Sequence, residues 1–174
     1  QALCRARLLG GAAKVGREFW PAVEKSWSKC GKGKTLFPEI REMRERIATE
    51  RVRQGEEERS YKTGRGGLVD VEFAAQGWQM RQGLPECRTG DILRKMKKSA
   101  PAEAQILRQG LDFWSKIEWW IRLGEGRGES MLPQAGRDLE WLARKCGERN
   151  GAKLMERVRG TFDSVRGAYE AVLR

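Results

Sequence analysis

A short basic segment rich in glycine carries the clearest chemistry in the sequence. Residues 62–67 have the sequence KTGRGG, and a predicted helix follows from Leu68. Closely spaced glycines let the backbone approach a ligand or another chain segment, and a helix N-terminus favours an anion. Lys62 and Arg65 add positive charge. On these residues alone an ordinary glycine-rich turn is the favoured interpretation, and an anion site is the alternative.

Two carboxylates, Asp70 and Glu72, follow this segment and raise the question of a metal ion. On a strand, residues i and i+2 point the same way and could share Mg²⁺, whereas on a helix they lie ~200° apart. The apolar residues around them fit both patterns, but no turn signal interrupts the run through Gln76. We favour a helix over residues 68–81 and predict no metal site.

The composition excludes several classes of catalysis within this chain. The 174 residues include no histidine, so they supply no Ser-His-Asp or Cys-His machinery and no His-ligated metal. The four cysteines form no C-x-x-C pair, and we expect free thiols in a cytoplasmic protein. They are Cys4, Cys30, Cys87 and Cys146. No apolar run approaches the ~20 residues of a membrane helix, so no membrane contact is expected.

The chain is strongly basic, with a formal charge of +11, which permits contact with nucleic acid, nucleotide or an acidic protein. A basic segment near residues 88–98 could contact phosphate, although a solvated helix face is the usual role of such a run. Its cations are Arg88, Arg94, Lys95, Lys97 and Lys98. Tryptophans 114, 119, 120 and 141 could stack on bases, but their helical spacing favours core packing.

Glycines and prolines divide the chain into the helices that must position these residues. Helices are predicted over residues 12–29, 39–53, 68–81, 91–98, 101–123, 134–146 and 154–172. The second should bury Ile40, Met43 and Ile47, and the fifth, apolar over much of its circumference, should lie in the middle. We predict an all-α fold, a bundle of about six to seven helices with no substantial sheet. One domain should span residues 1–174, with leading helices and a linker over 1–60 and the bundle proper over 61–174.

Three segments of the sequence resemble one family, the bacterial glutamine synthetase adenylyltransferases. Residues 62–76, KTGRGGLVDVEFAAQ, resemble the signature K-x-G-x-G-G-(I/L)-x-(D/E)-(I/V)-E-F-x-x-Q of that family's helical domain. Residues 1–10, QALCRARLLG, resemble its Q-A-L-x-R-A-R-x-V-x-G segment, and residues 39–46, EIREMRER, its E-V-R-x-M-R-x-(R/K) helix. Order and spacing agree, so the resemblance covers at least residues 1–80.

The resemblance implies an enzyme with two similar halves, each a nucleotidyltransferase domain followed by a helical bundle. One half attaches AMP from ATP to glutamine synthetase and the other removes it, under control of the PII signalling protein and glutamine. The chain looks more like the C-terminal, adenylylating half. The family's catalytic GS-x(n)-D-x-D motif is absent here, and the first residue is not Met, so we expect a fragment whose catalytic domain lies upstream.

On that resemblance we expect an accessory helical domain that is inactive in isolation and binds no cofactor alone, with Mg²⁺ and ATP implied for the full enzyme. Its expected partners are the upstream nucleotidyltransferase domain, glutamine synthetase and the PII protein. The nucleotide or interdomain loop would comprise Lys62, Gly64, Arg65, Gly66 and Gly67, supported by Asp70, Glu72, Phe73 and Gln76. No catalytic or metal-ligating residue is predicted. The alternative is a stand-alone basic helical module that binds nucleic acid or an acidic protein.

Overall fold

The computed structural model describes residues 2–7, 9–85, 88–125 and 129–174. Gln1, which opens the first family segment, and Cys87 lie outside these residues. Within them the chain forms seven α-helices and two short 3₁₀ helices, without a β-strand. The α-helices are α1 (Ala13–Gly31), α2 (Leu36–Arg51), α3 (Leu68–Gln82), α4 (Thr89–Met96), α5 (Pro101–Glu125), α6 (Arg137–Cys146) and α7 (Gly151–Val172). The all-α prediction is confirmed.

Local sequence signals explain where several of these helices begin and end. Helix α3 stops at Gly83, which adopts a left-handed φ of +64° that favours glycine. Helix α6 ends in the same way at Gly147, with φ +87°. The side chain of Asn150 caps α7 by accepting a hydrogen bond of 2.9 Å from the amide of Lys153. The helix predicted over residues 68–81 is therefore confirmed almost to the residue, and the strand alternative is wrong.

Helix α3 occupies the middle of the bundle, where it packs against α1, α2, α4, α5 and α7. Its buried residues are small or medium in size, including Ala74 and Ala75, and this lets the neighbouring helices approach closely. At Gly77 an added Cβ would lie 2.6 Å from a methyl group of Leu173. Helix α5, also expected in the middle of the bundle, packs against α3, α4, α6 and α7.

The buried face of α2 differs from the predicted one. The prediction placed Ile40, Met43 and Ile47 in the core, but Met43 is 47% exposed. The buried stripe instead runs at intervals of four residues through Leu36, Ile40, Arg44 and Ala48. Arginine is rarely fully buried unless it is paired, so a prediction from apolar residues alone assigned the wrong face of the helix to the core.

Three further expectations concern cysteines, tryptophans and membranes. Cys4, Cys30 and Cys146 are free thiols, of which only Cys30 is exposed. Trp114 is fully buried, in agreement with core packing, whereas Trp119 is 56% exposed. Among the described residues, no helix combines the length and the apolar character needed to cross a bilayer.

Candidate functional site

The glycine-rich segment folds as a compact loop between Ser60 and the start of α3. The amide of Gly64 donates to the Ser60 carbonyl at 2.8 Å, and the amide of Gly67 donates to the Gly64 carbonyl at 3.0 Å. Gly66 has a φ of +79°, and a Cβ added there would lie 2.0 Å from the Phe162 carbonyl oxygen of α7. Both conditions require glycine, so at Gly66 the missing side chain serves contact with another segment of the chain.

The amides at the start of α3, and those of Gly64, Gly66 and Gly67 in the loop, bond within the protein. The first three amides of α3 donate, in order, to the carbonyls of Tyr61, Lys62 and Gly67. The amide of Gly66 donates to Asp70 Oδ2 at 2.7 Å. An external anion at this loop would therefore depend on side chains rather than on the N-terminal amides of α3.

A buried ion pair between Arg44 of α2 and Asp70 of α3 holds the loop in place. Both side chains are 0% exposed, and Arg44 Nε donates to Asp70 Oδ1. Arg44 Nη2 also donates to the carbonyls of Gly64 and Thr63, at 2.6 and 3.0 Å. Burial raises the pKa of Asp70, while the charges of Arg44 and Arg166 and the Gly66 amide act against that rise. The pair thus ties one helix to the loop and to the helix that follows it.

A second layer of charges surrounds this pair and reaches the surface. Arg166 of α7 lies 3.5 Å from Asp70 Oδ2 and 2.7 Å from Glu45 Oε1. Arg65, predicted to be a site residue, pairs with the other oxygen of Glu45 at 2.7 Å and keeps a side chain that is 66% exposed. Partial burial would raise the pKa of Glu45, but hydrogen bonds from Arg166 and Arg65 lower it below its usual value.

The other end of the loop is anchored to α5. Lys62 Nζ pairs with Glu118 Oε1 at 2.7 Å, and Trp114 Nε1 donates to the Gly66 carbonyl at 3.1 Å. Partial burial would raise the pKa of Glu118, but the cations Lys62 and Arg122 lower it. Every predicted loop residue with a charged side chain therefore has an internal carboxylate partner.

The supporting residues predicted on α3 face different neighbours. Asp70 turns toward Arg44, whereas Glu72 pairs with Arg5 at 2.6 Å. Phe73 packs at the edge of the core, and Gln76 is 8% exposed. Within the described part of the chain, no three His, Cys, Asp or Glu side chains cluster as metal ligands would.

Sequence reasoning missed Arg44, Glu45, Trp114 and Arg166 as parts of this site. A usable signal existed for the first two, because both lie in the 39–46 segment that resembles the family helix. Arg5, Arg44 and Asp70 each come from a different one of the three resembling segments, and their ion pairs bring all three segments together. Arg44 and Asp70 are 26 positions apart in the sequence, so no local pattern indicates this pairing.

Comparison with known proteins identifies the family of the chain. A family model described as GlnD PII-uridylyltransferase matches residues 41–173, about three quarters of the chain. The chain belongs to this family. The match extends well past residue 83, the point beyond which the sequence alone shows little resemblance.

Curated relatives carry the name bifunctional glutamine synthetase adenylyltransferase/adenylyl-removing enzyme. The one from Corynebacterium diphtheriae is 31% identical over 157 residues, covering 84% of this chain and 15% of the relative. Those from Mycobacterium tuberculosis and Streptomyces coelicolor are 30% and 29% identical, each covering 86% of this chain and 16% of the relative. The resemblance to glutamine synthetase adenylyltransferase is confirmed, and the chain spans about one sixth of the length of these relatives. Assignment to the C-terminal half stays a prediction.

Proposed function

We propose that this chain is an accessory, regulatory helical domain of an enzyme that transfers AMP from ATP to glutamine synthetase, or removes it, in the regulation of nitrogen metabolism. One observation carries the proposal. The three segments that resemble the family meet around the Arg44–Asp70 and Arg5–Glu72 pairs, so the family motifs form one connected structure. The names of the relatives supply the reaction and its protein substrate.

In this proposal the chemistry takes place on a neighbouring domain. The five aspartates of the chain are separated widely enough that none forms the D-x-D pair of the family's catalytic motif. ATP and Mg²⁺ would bind to a nucleotidyltransferase domain encoded upstream, in the cytoplasm, and the PII protein would act on the assembled enzyme. The role of this chain would be to pack on that domain and to present the 62–67 loop toward it.

Exposed apolar side chains near the N-terminal end offer a surface for that packing. Leu9 is 84% exposed, Val15 65% and Phe19 41%, and the last two lie on α1. Large apolar groups grouped on a surface are typical of a protein interface. Arg65 is 66% exposed and lines an open pocket of about 690 Å³ beside the loop, so it lends this proposal an accessible charge.

Nucleic-acid binding, the alternative function, has weaker support from the structure. Lys62, Arg65 and Arg166 all have carboxylate partners within 2.7 Å, and Arg94 pairs with Asp91 at 2.6 Å. Paired cations offer less to a phosphate backbone than free ones do. Filter binding to mixed DNA and RNA should show no salt-dependent retention at micromolar protein.

Two measurements test the proposed function. With ATP, Mg²⁺ and glutamine synthetase, the chain alone should transfer no AMP, and robust transfer would place catalysis in this chain. In a pull-down with the separately produced upstream nucleotidyltransferase domain, Val15→Glu should abolish retention. Leu123→Glu is the matched control, because Leu123 is similarly exposed, at 58%, but lies on α5. Equal loss in both variants would contradict an interface on α1.

A further inference from the structure

A second polar cavity lies on the side of α3 that carries Glu72, away from the Arg44–Asp70 pair. Its volume is about 510 Å³. Three arginines line it, Arg5, Arg7 and Arg88, together with two hydroxyl side chains, Thr89 and Ser115. These residues come from the N-terminal segment, the start of α4 and the middle of α5, so the tertiary fold assembles the cavity.

The two carboxylates at this cavity are already neutralised. Glu72 Oε1 pairs with Arg5 Nη1 at 2.6 Å. Glu118 Oε1 is shared by Lys62 Nζ at 2.7 Å and Arg122 Nη2 at 2.9 Å. The two carboxylates are thus matched by three cations, and Arg7 and Arg88 add two more positive charges. The cavity therefore carries an excess of positive charge.

Three hydrogen-bond donors at the cavity are left without protein partners. In the described part of the chain, no carboxylate lies within 4.0 Å of the Arg7 or the Arg88 guanidinium. Thr89 is 9% exposed, and its hydroxyl bonds to no other described residue. That hydroxyl is not among the fully buried atoms without a partner, so it remains accessible from the cavity. A positively charged cavity with two unpaired guanidinium groups and an accessible hydroxyl suits a ligand that supplies acceptors.

We infer that this cavity binds a phosphoryl group, either as free phosphate or as part of a nucleotide polyphosphate. A phosphoryl group has three or more acceptor oxygens and about two negative charges, which match the two unpaired guanidinium groups and the hydroxyl of Thr89. The planar donor fork of arginine suits such oxygens better than a lysine ammonium does. The site does not depend on the proposed function, because the isolated chain holds all of its residues.

An NMR titration of the chain with inorganic phosphate at constant ionic strength tests the inference. The amide of Thr89 should shift saturably with phosphate, whereas an equal concentration of chloride should leave it in place. Arg88→Gln and Arg7→Gln should each raise the dissociation constant by about tenfold or more. Arg149→Gln is the matched control, because Arg149 is exposed, forms no ion pair in the described structure and lies outside the cavity. This substitution should change the phosphate affinity less than about twofold.

A parallel titration with ATP separates the two sources of the phosphoryl group. ATP binding that is about tenfold tighter than phosphate would identify a nucleotide polyphosphate, and equal or weaker ATP binding would identify free phosphate. Circular dichroism of each variant would verify that the helices are intact, since both arginines are exposed. Absence of a saturable shift, or equal weakening by Arg149→Gln, would overturn the inference.

Discussion

Replacement of Asp70 by asparagine tests the role of the buried ion pair most directly. The substitution keeps the shape of the side chain but leaves the Arg44 guanidinium, which is 0% exposed, without its counter-charge. Removing one partner of a buried pair costs about 3–5 kcal/mol, because the remaining charge stays desolvated. The asparagine oxygen can still accept from the Gly66 amide, so that bond adds little to the loss.

Urea unfolding followed by tryptophan fluorescence is a suitable assay. Trp114, one of the seven tryptophans, is buried and donates to the Gly66 carbonyl, so the total emission includes a contribution from the loop. With an m-value of about 2 kcal/mol/M, the expected loss lowers the midpoint by about 2 M urea. The total stability of a domain is about 5–15 kcal/mol, so the variant should remain folded in buffer but lose a large share of its margin.

Two controls make this prediction refutable. Asp112→Asn removes an exposed carboxylate that pairs with Arg108 one helical turn away, and it should cost less than about 0.5 kcal/mol. The double variant Arg44→Gln/Asp70→Asn should lose less than the sum of the single variants, because it leaves no unpaired buried charge. A loss below about 1 kcal/mol for Asp70→Asn, or strict additivity in the double variant, would refute the reasoning.

Three further predictions concern single positions around the loop. Gly66→Ala should lower the free energy of unfolding by more than about 2 kcal/mol, because Gly66 has a positive φ and lies against the backbone of α7. Gly160→Ala, on an open helix face, should raise it by up to about 1 kcal/mol. Thermal unfolding of the two variants measures both changes. The pKa of Glu45 is lower in the folded protein than its ordinary value of 4.5, so the ionised side chain stabilises the fold at pH values above 4.5. This stabilisation is lost as the pH falls through the folded-state pKa, so Glu45→Gln should flatten the acid limb of a curve of unfolding free energy against pH. Tyr169→Phe should be neutral or stabilising by about 1 kcal/mol in urea unfolding, since the buried hydroxyl bonds to no described residue; a loss above that size would contradict this.

The helices could be predicted because their signals are local. Apolar spacing, Gly83 and Pro101 mark the limits of α3 and α5 within a few residues of the observed ones. The buried face of α2 could not be predicted in the same way. Arg44 is charged, and residue type alone assigns a charged side chain to solvent. Its burial depends on Asp70 and on carbonyls of the loop, which only the tertiary fold brings within reach.

The two interpretations of the glycine-rich segment show where sequence reasoning ends. Close approach by a ligand and close approach by another chain segment demand the same glycines. At Gly66 the structure shows the second, since the nearest backbone belongs to Phe162, 96 residues later in the chain. Binding of a nucleotide or contact with another domain at Lys62 and Arg65 stays a prediction, and it would have to compete with Glu118 and Glu45 for these cations.

This competition gives the net charge of the chain a more specific meaning. A cation that already has a carboxylate partner gains little from an added anion, because the existing pair must first open. Arg44, Lys62 and Arg65 are paired in this way, whereas Arg7 and Arg88 are not. The first group should therefore govern stability and the second should govern anion binding. Because Asp70 faces Arg44 whereas Glu72 of the same helix lines the cavity, Asp70→Asn should leave the phosphate affinity of the folded protein unchanged, and Arg88→Gln should leave the urea midpoint unchanged. If Asp70→Asn weakened phosphate binding as much as Arg88→Gln does, the two networks would be coupled through α3.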